Sequence, residues 1–159
     1  AAKLGRTLRD AVAGWRAARG RDVVHIHSSL APAVTVARAC ALAVAGRARG
    51  CAVVVHAHGG NIQTWLTTPV RRALVRLAMA PADRVVAVWN AGVEALRRVL
   101  PGERVTLIDN GVPVDGYGGG GPWDGPPRIL YVGLLTPRKG VLDLIEASRL
   151  LRRRGVPHE

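Results

Sequence analysis

The sequence predicts an α/β fold, a parallel sheet with helices on both faces, on three observations. Short apolar runs alternate with amphipathic stretches. The runs recur at a pitch that leaves room for a crossover helix between one strand and the next. Most runs are continuously apolar rather than alternating, as expected of strands covered on both sides.

The elements follow in order. Residues 4 to 19 read as an amphipathic helix, with Leu4, Leu8, Val12 and Trp15 on one stripe. Asp22-Val-Val-His-Ile-His27 reads as a short strand. A helix is predicted after Pro32, through Val34, Ala37, Ala41 and Val44 to a stop near Gly46. Cys51-Ala-Val-Val-Val-His56 is the next strand, closed by Gly59-Gly60. Pro69 can open a helix through Leu74, Leu77 and Ala78. A third strand over 84–88, a helix from Ala91 to Leu100 and a fourth strand over 104–108 complete the series. In such a sheet ligands bind beyond the carboxyl ends of the strands. That rule gathers His27, His56 to Gly60, Trp89-Asn90 and Asn110-Gly111 at one edge.

Residues 116–127 interrupt the pattern, nine of the twelve being Gly or Pro, which suits a linker and neither helix nor strand. The alternation resumes with Arg128-Ile-Leu-Tyr-Val132 and a helix from about Gly140. One strand and one helix cannot bury a core of their own. The organisation expected is therefore a partial first domain over 1–111, a linker over 112–127, and over 128–159 the first strand-helix unit of a second domain. The chain reads as a fragment.

The 159 residues carry a net charge of +12, with 48% hydrophobic residues, enough apolar content for a folded core. Residues 1–111 hold 16 Lys/Arg against 6 Asp/Glu, whereas 112–159 hold 7 against 5. Arginine supplies 21 of the 23 cations, a ratio that GC-rich coding alone produces. An anionic partner is the functional reading, but nucleic acid is not expected. Phe is absent, and the four Trp and two Tyr are scattered rather than interleaved with arginine. Two cysteines exclude a disulfide scaffold and favour a reducing compartment. The apolar stretches are too short to span a bilayer.

Several motifs could carry chemistry. His25/His27 and His56/His58 are each two apart on a strand, so each pair shares a face and could converge on a metal. Equally, His25 and His56 could hydrogen-bond within the sheet while the later histidines face the cleft. His58-Gly59-Gly60 sets an imidazole at a strand end, with backbone that can approach a ligand closely. Gly133-Leu-Leu-Thr-Pro-Arg-Lys-Gly140 is not a P-loop, since Lys139 precedes Gly140, but it joins a strand-end glycine, helix amides and the cations Arg138 and Lys139. Arg71, Arg72 and Arg76 beside Val70, Leu74 and Leu77 could meet an anionic membrane or form an ordinary solvated face.

Taken together, these segments resemble the family 4 glycosyltransferases, retaining enzymes of the GT-B fold. The resemblance runs through 22–27, 53–60, 82–88, 104–112, 129–141 and 144–147, in order and at matching spacing. It implies two Rossmann-like domains, the first holding the acceptor and the second mainly the donor. It implies that His58 contacts the donor sugar and takes part in catalysis, with Gly59, Gly60, Asn110 and Gly111 lining the cleft. Gly133, Arg138 and Lys139 would hold the donor diphosphate, so that no metal and no separate cofactor is needed. The partners implied are a nucleotide-diphosphate sugar and a sugar or lipid-linked acceptor in cell-envelope or polysaccharide synthesis, in the cytoplasm or peripherally at the inner face of the membrane. Leu134 stands where the family usually has arginine, and Trp89 where it often has serine. The family's paired glutamates and first glycine-rich loop are not matched, so the isolated chain is expected to be inactive. Two rivals stand beside this reading: a non-catalytic basic binding module, and a metal-dependent hydrolase built on the His-x-His pairs.

Overall fold

A computed structural model describes residues 2–113, 115 and 124–159, apart from the side chains of residues 2–4 and of Arg138. The tetraglycine at 118–121 and Trp123 lie outside the described residues, as does much of the proposed linker. The chain divides into two compact units, Ala1–Val112 and Pro113–Glu159.

The first unit is a four-stranded parallel sheet flanked by helices, as the sequence predicts, although the connecting helices gather on one face rather than on both. Its elements are α1 (Ala2–Ala17), β1 (Val23–Ser28), α2 (Ala33–Arg47), β2 (Ala52–Ala57), α3 (Ile62–Trp65), α4 (Pro69–Ala78), β3 (Arg84–Ala87), α5 (Asn90–Arg97) and β4 (Val105–Leu107). The strands lie in the order β1-β2-β3-β4. A sequential order with crossovers of one hand returns each connecting helix to the same face. The core bears this out. Ile26, Val53, Val55, Ala57, Val85, Ala87 and Val105 share a sheet face and form one buried cluster with Val36, Ala39 and Ala43 of α2, Val75 of α4, and Val93 and Leu96 of α5. Burying each large member contributes about 1.5–3 kcal/mol.

Local choices agree with this layer. Gly46 of α2 lies against Val24 and Val53, where a Cβ would come within 3.2 Å of both, so the helix sits close on the sheet. Thr68 caps α4, its hydroxyl accepting from the Arg71 N–H, and Pro69 takes the first helical position. Below the strands, Asp83 accepts from the Val53 N–H at 2.7 Å and pairs with Arg47 at 3.0 Å. Arg104 donates to the carbonyls of Met79 and Ala82, closing the end of α4 onto the start of β4.

Two expectations change. The stripe predicted to bury α1 is largely solvent-facing, with Leu8 60% and Val12 49% exposed. The helix instead packs on α2 through small and polar residues, Asp10, Ala11, Gly14 and the following Ala18. Gly14 permits the approach, since a Cβ there would stand 2.8 Å from Leu42. Arg49 then covers Trp15, its guanidinium 3.3 Å from the ring centre.

The second change is the strand expected over 128–132. In the second unit this segment forms no sheet strand among the described residues, and Leu130 and Val132 are 86% and 85% exposed. Its backbone bonds run to the chain's last residue: Ile129 N–H donates to Glu159 O, and Glu159 N–H to Pro127 O. A strand exists through its partners, and one pair of bonds is not a ladder. The helix α6 (Val141–Arg153) forms as predicted after a 3-10 turn at Pro137–Lys139, and none of its described residues is buried.

Candidate functional site

The carboxyl edge of the sheet is where the predicted residues gather. His58 directly follows β2, its N–H donating to Ser28 O at 2.9 Å, which extends the β1–β2 pairing by one residue. Its imidazole is exposed, and Nε2 lies 2.7 Å from His27 Nδ1. Gly59 is required by the fold, because a Cβ would overlap the Ser29 carbonyl oxygen and Cα. Gly60 faces open space. The backbone opening predicted for the pair is thus at Gly60, while Gly59 lets two loops cross.

The four histidines of the first unit share a sheet face. His27 is the register partner of His56, and His25 and His58 stand one step back and one step forward on that side. His25 Nε2 lies 3.2 Å from His56 Nδ1, and the His27, His56 and His58 rings neighbour one another at centroid distances of 4.3–5.3 Å. The two readings of these motifs therefore meet: the histidines do hydrogen-bond, but in cross-strand pairs on one open face. Desolvation, then the neighbouring His27 and His58, holds the His25 pKa below its ordinary 6.5. Desolvation also lowers His56, with His58, His25 and His27 adding to it. Both rings are accordingly neutral around pH 7, which suits hydrogen bonding and ligation.

Beside this face lies a cleft of ≈ 350 Å³ lined by Gly14, His25, His27, Ser29, Thr35 and Arg38 among others. Ser29 Oγ donates to Ala31 O at 2.7 Å and lies 3.1 Å from Thr35 Oγ1, fixing the loop after β1. Asn110 and Gly111 are exposed in the segment after β4, beyond the bond from Ile108 N–H to Ala87 O. They lie at the same sheet edge as His58 but two strands along.

Sequence reasoning missed what Trp89 does. It starts α5 with its ring laid on Gly92, where any Cβ would strike the indole at 2.6 Å. The indole Nε1 is buried with no partner among the described residues. The Trp-x-x-Gly spacing, one helical turn, was the available signal.

In the second unit, the loop from Gly133 to Gly140 is built by its own backbone. Tyr131 donates its hydroxyl proton to Leu134 O at 2.9 Å, and Lys139 N–H and Gly140 N–H close the 3-10 turn. Gly140 has φ +74°, a left-handed conformation that favours glycine, and α6 begins immediately after it. Lys139 is exposed beside this helix start; Arg138 lies in the turn, its side chain outside the described residues. Gly133 packs under the Tyr131 ring, where a Cβ would meet the hydroxyl at 3.1 Å. A cation next to free helix amides can hold a phosphate.

Two mannosyltransferases are similar to this chain over most of its length. The GDP-mannose:cellobiosyl-diphosphopolyprenol alpha-mannosyltransferase of Xanthomonas campestris is 28% identical over 134 residues, covering 82% of this chain and 34% of that protein. The enzyme of the same name from Xanthomonas oryzae pv. oryzae (strain PXO99A) is 27% identical over 133 residues, covering 81% and 33%. The chain thus spans about a third of the length of these relatives. The sequence profile of Glycosyltransferase Family 4 matches residues 2–115, which include the whole sheet and His58. The chain belongs to Glycosyltransferase Family 4.

Proposed function

We propose that this chain is part of a retaining glycosyltransferase that moves a sugar from a nucleotide diphosphate to a lipid-linked acceptor in cell-envelope or polysaccharide synthesis. The observation that carries the reading is His58: an exposed imidazole at the carboxyl end of a parallel strand, braced at 2.7 Å by a second imidazole. The relatives' names support the substrate classes, a GDP-sugar donor and a diphosphopolyprenol-linked saccharide acceptor.

In this reading the residues divide the work. His58, oriented by His27, contacts the donor sugar, where an imidazole can polarise a hydroxyl as positive charge builds at the anomeric carbon. Gly59, Gly60, Asn110 and Gly111 line the cleft. Gly133, Arg138, Lys139 and the start of α6 hold the diphosphate and stabilise its charge as it leaves, so the transfer needs no metal or other cofactor. The 1–111 portion serves the acceptor side, 112–127 the linker, and 128–159 the opening of the donor domain.

The enzyme works in the cytoplasm. α4 is suited to peripheral contact with an anionic membrane, since Val70 and Leu77 are 77% and 73% exposed beside Arg71, Arg72 and Arg76. No helix among the described residues is long and apolar enough to cross a membrane.

The test is donor turnover by a protein of the relatives' full length that contains this segment. GDP-mannose and a diphosphopolyprenol-linked disaccharide are supplied, and His58→Ala is compared with the parent. The variant is expected to fold normally while kcat falls about 100-fold or more. Unchanged kcat would remove His58 from the chemistry.

A further inference from the structure

We propose that His25, His27 and His56 form a binding site for a borderline divalent transition-metal cation, of the class of Zn²⁺, Cu²⁺, Ni²⁺ and Co²⁺, on the open face of the sheet. One ligand atom from each ring lies within 4.8 Å of the other two. The spacing of the His25–His56 pair fits a single ion. Two imidazole nitrogens bound at about 2.0–2.1 Å to one tetrahedral ion stand roughly 3.3 Å apart. His25 Nε2 and His56 Nδ1 stand 3.2 Å apart.

A further observation points to a ligand. His27 Nδ1 is engaged by His58 Nε2 at 2.7 Å, which leaves Nε2 of His27 to bind and fixes its ring, as a metal-bound histidine is held by a partner on its other nitrogen. The parallel register sets the cluster, pairing His27 with His56 and bringing the i, i+2 histidines of β1 alongside.

The donor set selects the cation. Three imidazoles, joined by no carboxylate or thiolate among the described residues, suit nitrogen-preferring ions and not Mg²⁺ or Ca²⁺, which take oxygen. His25 and His27 are exposed, so an ion reaches them from solvent. The site shares His27 with the brace on His58, but the inference does not rest on the transferase reading: sugar transfer could fail while the ion binds, and the reverse.

The 159-residue chain is titrated with Cu²⁺ and with Co²⁺ at pH 7.5 in excess Mg²⁺. Binding is followed by electron paramagnetic resonance for Cu²⁺ and by visible absorption for Co²⁺. One equivalent should bind, with hyperfine splitting from three imidazole nitrogens. His25→Gln and His56→Gln should each weaken binding by more than about tenfold, while His158→Gln, outside the cluster, should leave it unchanged. Circular dichroism checks that the variants fold. Should they not fold, the nitrogen count in the wild-type spectrum decides. Fewer than three nitrogens on Cu²⁺, or equally tight binding by a folded His25→Gln/His56→Gln variant, overturns the proposal.

Discussion

The two faces of the sheet are made from the same strands and do opposite things. On one, Val53, Val55, Ala57 and Val85 are fully buried under the helices. On the other, His25 and His27 of β1 and His56 of β2 face outward with nitrogens 3.2 Å and 2.7 Å from their neighbours'. Because side chains alternate along a strand, a step of one residue separates packing from chemistry. The difference shows that β2 packs its odd-numbered residues into the core and turns its even-numbered ones, His56 among them, to the other face. The helices pack on the sheet face opposite the imidazoles.

The largest effect should come from breaking the packed face. Val55→Asp places an unpaired carboxylate in the core and should cost more than about 4 kcal/mol. The neighbouring Val54→Asp, on the histidine face and in register with His25, should stay within about 1 kcal/mol of the parent. Urea unfolding of the two variants measures the contrast, and equal losses would show that the faces are not distinct.

A middle-sized effect belongs to the edge where the faces meet. Gly59→Ala forces the loop after β2 off the Ser29 backbone and should cost about 1–3 kcal/mol. Gly60→Ala, pointing into open space, is the matched control and should be near neutral. A Gly60 loss as large as that at Gly59 would mean the loops do not cross as described.

The smallest effect is specific to the histidine face. His25 and His56 have folded pKa values below 6.5, so the unfolded chain binds more protons than the folded one as pH falls. Their contribution is fully present above pH 6.5 and is lost progressively below it. In chelator-treated protein the thermal midpoint should fall between pH 7 and 5, and the slope should flatten in a His25→Gln/His56→Gln variant. An unchanged slope in a folded variant would assign the acid sensitivity elsewhere.

Much of the sheet was legible because its signals are local. The apolar runs at 51–56 and 84–88 became β2 and β3 within a residue or two, and Pro69 did begin α4. What failed depended on partners. Residues 128–132 have strand composition but, among the described residues, no neighbouring strand to bond. Leu8, Val12 and Trp15 have helical spacing, yet Gly14 chose the contact face by allowing closer approach. The four-residue α3 has no period to detect. At the site, the i, i+2 histidine spacing announced two pairs, but their convergence required the His27–His56 register, which links residues 29 apart in sequence. His58 at the end of β2 was readable from the glycines after it; the reason for Gly59 lay in the Ser29 backbone.

The sequential strand order has a consequence for how the molecule is made. Val23 pairs with Ala52, Val54 with Arg84, and Val85 with Val105, so each strand bonds only to the strands next to it in the chain. No strand of this sheet waits for one synthesised later to be inserted between it and its neighbour. As the polypeptide leaves the ribosome, each emerging strand-helix unit finds its docking edge already in place, and the sheet can grow in the order of translation.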